Sequence, residues 1–436
     1  MNQALDRFFG IRSSGSSFWR EIVAGLTTFI TVSYIVVVNP KILEAAGLPV
    51  GASLVATAIT AAFGTLAMGL YARRPFAVAP YMGENAFFAF TVVGALGFSW
   101  QVALGGVFWA GILFVILTLT GARTWLANAV PPSLKAAFAV GIGLFLAFLG
   151  LMSSGIVRLG VEGAPVHVAD LRAPGPLIAI GAFFLMVLLT IRKVPGALIL
   201  GIAAATLAAW CLGLQKMPES LWGAPPDIMP IFAQADLMGA LAPAFLPVLF
   251  TMFILDFLDT VGTLYGLGYK AGLVDKDGKM EDVEKPMLCD AASTVVAGIC
   301  GTTTSGVYIE SASGIQAGGR TGLVAVVCGL LFLAAIPFAP LVAAIPSFAY
   351  GPVLIFVGMM MLTAIRHVNL EEIAELVPAF LTVILMCFTL NLGIGITAGL
   401  VSYPLCKIAA GKIKEVRPGT WLLAGLSALF FVLYPY

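Results

Sequence analysis

The sequence predicts an all-α polytopic membrane protein: fourteen transmembrane segments in two inverted repeats of seven, with the third and tenth segments discontinuous. Three observations predict it. The 436 residues are 60% hydrophobic and 10% charged, with a mean hydropathy of +1.03, where an ordinary soluble domain carries about 25% charge. Apolar runs long enough to cross a bilayer recur from one end of the chain to the other. A polar break, LQKMPESLWGAPPDIMPIFAQAD, divides those runs near the middle.

Hydropathy places the first set at roughly 21–38, 52–71, 76–95, 101–120, 133–153, 175–191 and 196–213. The second set follows at roughly 244–267, 286–300, 302–318, 321–340, 350–366, 377–391 and 393–410. The domain reading is therefore a first repeat over 1–213, an extracytoplasmic connector over 214–243 and a second repeat over 244–436. A last apolar stretch, WLLAGLSALFFVLYPY, is short for a full span. Basic residues set the orientation: Arg73/Arg74, Arg123, Arg192/Lys193, the 270–285 linker, Arg320, Arg366 and Lys407/Lys412/Lys414/Arg417 all follow even-numbered segments. A cytoplasmic N-terminus puts every one of them on the cytoplasmic side of a cytoplasmic (inner) membrane. An odd number of segments per half inverts the second half, a hallmark of secondary transporters with a site near the midplane.

The third segment of each half is irregular. RRPFAVAPYMGENAFFAF and GICGTTTSGVYIESASGIQAGG each open with a short extended stretch and turn helical at a polar pair, Glu84-Asn85 or Glu310-Ser311. Pro80, Gly83, Gly301 and Gly306 argue against a continuous helix. Non-helical backbone at membrane depth is tolerated where it is buried or lines a cavity, and two half-helix starts offer backbone N–H groups to a polar ligand.

Other chemistry is excluded or thin. A net charge of +1 with no basic cluster leaves no nucleic-acid footprint. The six cysteines, Cys211, Cys289, Cys300, Cys328, Cys387 and Cys406, show no CxxC spacing and read as buried small residues. His167 and His367, the only histidines, fall in predicted loops, so no metal site is expected. The N-terminal stretch lacks a small-residue cleavage site and reads as an uncleaved, amphipathic lead-in. DKDGKMEDVEK lacks the order of a calcium loop and reads as a solvated cytoplasmic linker. Glycines inside the spans read as points of close helix packing.

The informative residues are acids in lipid-like surroundings. Asp256 and Asp259 lie in FTMFILDFLDTVGTLYG and Glu310 in GTTTSGVYIESASG. A carboxylate at bilayer depth costs roughly 2.5–3.5 kcal/mol on insertion scales. Spaced i, i+3, Asp256 and Asp259 share a helix face that Thr260 and Thr263 continue. A structural role, hydrogen-bonded to neighbouring hydroxyls, explains one such acid better than three. A carboxyl withdrawn from water favours its neutral form, so these acids are candidates for carrying a proton. Around Glu310 the candidates extend to Ile309 and Ser311; in the third segment they are Asn85, Glu84 and Phe87, whose ring offers a stacking surface alongside its default packing role.

The block from LDFLDTVGTLYG through GICGTTTSGVYIESASGIQAGGRTGL resembles the nucleobase–cation symporter 2 family, closest to its AzgA-like branch of adenine, guanine and hypoxanthine permeases. GIRSSGSSFWREIVAGLTTFITVSYIVVVNP, AVAPYMGENAFFAF and GITAGLVSYPLCKIAAGKIKEV resemble it too, so the similarity covers nearly the whole chain. The resemblance implies a core domain (about 21–120 and 244–340) and a gate domain (about 133–213 and 350–436). It implies a purine held between the third, eighth and tenth segments, with a proton as the coupling ion. The family's acids then fall on Asp256, Asp259 and Glu310, and its asparagine on Asn85. The chain departs from the usual MGLNA by reading MGENA, which introduces Glu84. No enzyme and no cofactor is implied, and a homodimer is an assembly common in the fold.

In this reading Glu310 and one of Asp256 and Asp259 accept purine N–H groups, as a carboxylate can in pairs. Backbone N–H groups and Asn85 meet the carbonyl and ring nitrogens, and the other acid exchanges the coupling proton. The rivals are a carrier of uracil, xanthine, urate or an anion on the same fold, an intramembrane aspartyl protease, and a passive channel. An anion calls for a basic residue or bare helix dipoles rather than three acids. The protease calls for two acids brought together from different helices, and no GxGD sequence occurs.

Overall fold

The structure, a computed structural model, describes residues 3–161, 164–274, 280 and 282–434. It is a mostly helical, polytopic membrane fold. Among the described residues nine helices are long and apolar enough to cross a membrane, and three shorter apolar ones, Ala197–Cys211, Ile373–Phe388 and Pro418–Leu433, accompany them. Most segments read from the sequence as continuous fall on a single helix with ends moved by a few residues, whereas the first is split in two and the stretch at 321–340 is divided by a 3₁₀ piece, Ile336–Phe338. The terminal stretch is one of the short helices, Pro418–Leu433.

The differences are local and have causes. The first segment is a long apolar run, Phe18–Glu44, interrupted at Ser33 and Tyr34 into helices Phe18–Val32 and Ile35–Glu44. Pro40, inside the second piece, has no N–H to give the ladder. A short helix, Ala122–Ala129, was not foreseen; it starts after Gly121, whose φ of 71° is left-handed. The all-α expectation also needs correcting. Four short strands are present: β1 (Val78–Pro80), β2 (Val157–Val161), β3 (Ala164–Val168) and β4 (Ser305–Val307). β2 and β3 form a hairpin, so His167 lies in a strand opposite Arg158 rather than in a loop. The alternation of APVHV is strand-like, and its brevity hid it. His367 ends a 3₁₀ turn, Leu362–His367. Cys289, Cys300 and Cys328 are buried, whereas Cys387 and Cys406 are half-buried and Cys211, at a helix end, is exposed.

The 214–243 connector is not a slack tether. It runs as turns with a 3₁₀ piece at Gly239–Leu241. Its backbone is tied to helix ends from both halves of the chain. The Ala233 N–H donates to the Ile299 carbonyl at 2.7 Å, and the Asp236 N–H to Gln101 at 2.9 Å. Trp109 Nε1–H donates to the Leu237 carbonyl at 2.9 Å. Most of the 275–285 linker lies outside the described residues.

Helices approach closely where glycines allow it. Gly69 and Gly322 meet so tightly that a Cβ on Gly322 would stand 2.1 Å from the Gly69 carbonyl oxygen, and one on Gly358 would stand 2.2 Å from the Gly143 oxygen. Charge is gathered at one helix end. Lys407, 1% exposed, lies 3.0 Å from Glu372, 2.7 Å from Glu375 and 2.8 Å from Glu415. Lys412 reaches Glu372 at 2.9 Å. Hydrogen bonds from Lys412 and Lys407 hold the Glu372 carboxyl below the usual carboxylate range.

Gly322→Ala should therefore lower the thermal unfolding midpoint of the detergent-solubilised protein, at a cost of about 1–3 kcal/mol. Gly425→Ala, where a Cβ meets nothing within 4 Å, should leave it unchanged or raise it. Size-exclusion monitoring after stepped heating distinguishes the two.

Candidate functional site

The two irregular segments meet as an antiparallel strand pair. β1 and β4 align Val78 with Val307, Ala79 with Gly306 and Pro80 with Ser305. Helical structure begins three residues beyond the central pair on each side, at Met82 and at Ile309. The Met82–Ala86 turn runs on into a π-helical stretch, Phe87–Ala95, and the Ile309–Ser311 turn into Ala312–Gln316. Sequence alone foresaw both extended stretches and both helical restarts, but not their pairing.

The hydrogen bonds around the pair repeat with a local two-fold relation. The Tyr81 N–H donates to the Thr304 carbonyl at 3.0 Å and the Tyr308 N–H to Ala77 at 2.9 Å. Tyr81 Oη donates to the Val307 carbonyl at 3.4 Å, and Tyr308 Oη to the Pro80 carbonyl. The two rings stack with centroids 6.1 Å apart and planes 11° apart. Thr65 Oγ1 bonds both the N–H and the carbonyl of Val78, each at 2.9 Å. On the other side Thr294 Oγ1 does the same for Ser305, at 3.1 and 2.9 Å. Each strand, broken out of a helix, thus recovers its bonds from its partner, a tyrosine and a threonine, as burial demands.

The acids ring this pair. Glu310 accepts from Tyr34 Oη at 2.8 Å, so the break in the first segment delivers a hydroxyl to the tenth. Asp259, half-buried on the Leu246–Ala271 helix, lies within charge–charge reach of Glu310 and Glu84. Asp256, its neighbour one turn earlier, is fully buried and accepts from Thr294 Oγ1 at 3.3 Å. The shared helix face therefore divides: Asp259 joins the acid cluster, while Asp256 is bonded into the protein interior.

The remaining candidates take distinct places. Glu84 and Asn85 are buried; among the described residues neither Glu84 oxygen nor Asn85 Nδ2 has a hydrogen-bond partner, while Asn85 Oδ1 accepts from Thr303 Oγ1. Phe87 is enclosed in the hydrophobic core. Ile309 is half exposed, and Ser311 is buried with its hydroxyl accepting the Ala77 N–H at 2.9 Å. Sequence reasoning passed over Asp290, which is fully buried on the Glu284–Cys300 helix and accepts from Thr260 Oγ1 at 2.7 Å and the Val307 N–H at 3.0 Å. The signal was present, since Asp290 is another acid inside a predicted span. Tyr81 and Tyr308 also occupy matching places in APYMGE and GVYIES, which a comparison of the two halves would have revealed.

A family model described as "Permease family" (Xan_ur_permease) matches residues 20–401. The chain belongs to that permease family. It agrees with the resemblance to the nucleobase–cation symporter 2 family read from the sequence. Adenine permease AdeP of Escherichia coli K12 is 39% identical over 428 residues, covering 98% of this chain and 96% of that protein. Guanine/hypoxanthine permease PbuG of Bacillus subtilis 168 is 38% identical over 436 residues, covering 98% and 99%. The transmembrane domain of the cyanobacterial bicarbonate transporter BicA has the same fold, with a TM-score of 0.64 at 16% identity over 87% of this chain and 97% of that one.

The tyrosine pair gives a direct check. Tyr308→Phe leaves the buried Pro80 carbonyl short of a donor and should cost about 1–2 kcal/mol of stability. A double-mutant cycle with Tyr81→Phe, read by thermal unfolding, should return a coupling energy well above zero because the two rings and their bonds share one small structure.

Proposed function

We propose that this permease takes up purine nucleobases in symport with protons, by alternating access across a cytoplasmic membrane. The observation that carries the reading is whole-length similarity to adenine and guanine/hypoxanthine permeases, joined to a cluster of buried and half-buried acids beside the paired strands. Fourteen crossings in two inverted repeats of seven are supported by the local two-fold relation about Ala79 and Gly306. The first repeat covers 1–213 and the second 244–436, with the N-terminus cytoplasmic. Spans 1–4 and 8–11 make the core that carries the site, and spans 5–7 and 12–14 the gate it moves against.

In the site, Glu310 and Asp259 accept purine N–H groups from the open side of the strand pair. Two N–H groups on one edge of a flat heterocycle match two acceptor oxygens, which an anion cannot do. Asn85 Nδ2, unpartnered and buried, is available to a ring nitrogen or carbonyl. Tyr34 fixes the rotamer of Glu310, and Asp256 and Asp290 hold the helices on which the contacts stand. Ile309 and Ser311 flank Glu310, and Phe87 lies in the hydrophobic core two residues beyond Asn85. Loss of a charged acceptor costs about 1.5–3 kcal/mol, so Glu310→Gln should cut purine uptake about 10- to 100-fold.

Uptake of labelled hypoxanthine, guanine, adenine and uracil into proteoliposomes tests the whole reading. An inward proton gradient should drive accumulation of one or more purines, with the others competing. Absence of purine movement under any gradient would overturn it. Normal hypoxanthine transport by Glu310→Gln would remove Glu310 from the site.

A further inference from the structure

We propose that Glu84 carries the coupling proton; this rests on the transport reading above and assigns the carrier within it. Glu84 is 4% exposed, and among the described residues neither carboxyl oxygen has a hydrogen-bond partner. Three other acids around the strand pair are engaged. Glu310 holds the Tyr34 hydroxyl, Asp290 the Thr260 hydroxyl and the Val307 N–H, and Asp256 the Thr294 hydroxyl. Asp259 is half-buried and therefore has access to water. Among the described residues Glu84 is the one of these acids that is buried with neither carboxyl oxygen bonded to the scaffold, so its proton can come and go without rearranging a crosslink.

The titratable groups that face it from the surrounding elements are Asp259, Asp290 and Tyr308. A bare carboxylate in that company is costly, and a neutral carboxyl is far less so. The proton on Glu84 thus decides whether the core carries an uncompensated buried charge as it crosses.

The repeat relation makes the same point. Counted from the central strand residues Ala79 and Gly306, Glu84 and Ser311 are both five positions on. Ser311 uses its hydroxyl to pin the Ala77 N–H of the opposite strand. The first half has an acid at that place and leaves it unbonded. The place filled by a structural hydroxyl in one half is therefore a titratable group in the other. In the cycle, one proton passes from outside water to the Glu84 carboxylate as purine binds, and from the carboxyl to cytoplasmic water as purine leaves. No other bond is made or broken.

The test uses the full chain in proteoliposomes, comparing wild type, Glu84→Gln and Glu84→Asp. The readouts are the proton-to-purine stoichiometry, from the reversal of purine flux against opposed gradients, and purine counterflow without a gradient. In Glu84→Gln the stoichiometry should fall by about one proton. The ratio of gradient-driven accumulation to counterflow should fall roughly tenfold. Glu84→Asp should restore most of both. A merely structural role would lower accumulation and counterflow together, and an unchanged stoichiometry in Glu84→Gln overturns the assignment. Wild-type liposomes that neither accumulate nor exchange purine would overturn the transport reading instead, and this inference with it.

If Glu84→Gln does not fold, a hydrophobic carbodiimide, which adds to protonated carboxyls in apolar surroundings, reports on the wild type. Glu84 is the only acidic side chain between Arg74 and Arg123, so a single peptide identifies its adduct. Labelling there that fades as pH rises supports the role. Labelling confined to Asp259 or Glu310 overturns it.

Discussion

The pairing of Val78–Pro80 with Ser305–Val307 is the interaction on which the centre of this molecule depends. Two helices broken inside a membrane each release N–H and carbonyl groups that lipid cannot satisfy. Three residues of strand from each half satisfy one another, and Thr65, Thr294, Tyr81 and Tyr308 close most of the rest. The ends of the strands then fix where the helical restarts begin, and with them the positions of Glu84, Asn85 and Glu310. The site is a by-product of repairing the breaks.

The same economy governs the acids. Each bonded carboxylate links separate elements: Glu310 joins the Ile309–Ser311 turn to the break at Tyr34, and Asp290 joins its own helix to Leu246–Ala271 and to β4. Similar logic holds away from the site. Glu21, fully buried, accepts the N–H groups of Arg320 and Thr321 and the Thr321 hydroxyl, and so caps the start of the Gly322–Ala334 helix from the other half of the chain. Buried acids here mostly serve as crosslinks, which is why one without a bond stands out.

Much of this was legible in the sequence because hydropathy responds to lipid, and lipid dictates helices. Most of the apolar helices, the two irregular stretches that pair as β1 and β4, and the presence of acids at Asp259, Glu310 and Glu84 could be read from composition and spacing. The stacking of Tyr81 on Tyr308, and the reach of Tyr34 to Glu310 across 276 positions, could not. Tyrosine in a membrane span has many uses, and only the fold brings these three together. Asp256 and Asp259 show the limit of periodicity: spacing placed both on one face, but their partners depend on which helices pack there. The β2–β3 hairpin escaped because five-residue strands carry too few alternations to separate from a turn.

The three short apolar helices have a consequence for the surrounding lipid. Ala197–Cys211, Ile373–Phe388 and Pro418–Leu433 have 15, 16 and 16 residues, so each spans roughly 22–24 Å. That is several ångströms less than a hydrocarbon layer of about 30 Å. The Leu246–Ala271 helix, which carries Asp256 and Asp259, has 26 residues by contrast. Hydrophobic mismatch therefore falls unevenly on the molecule. The bilayer must thin beside the short helices, or those helices must draw their flanks inward. A thicker membrane would strain these three helices more than the long ones, which makes acyl-chain length a mechanical variable for this protein.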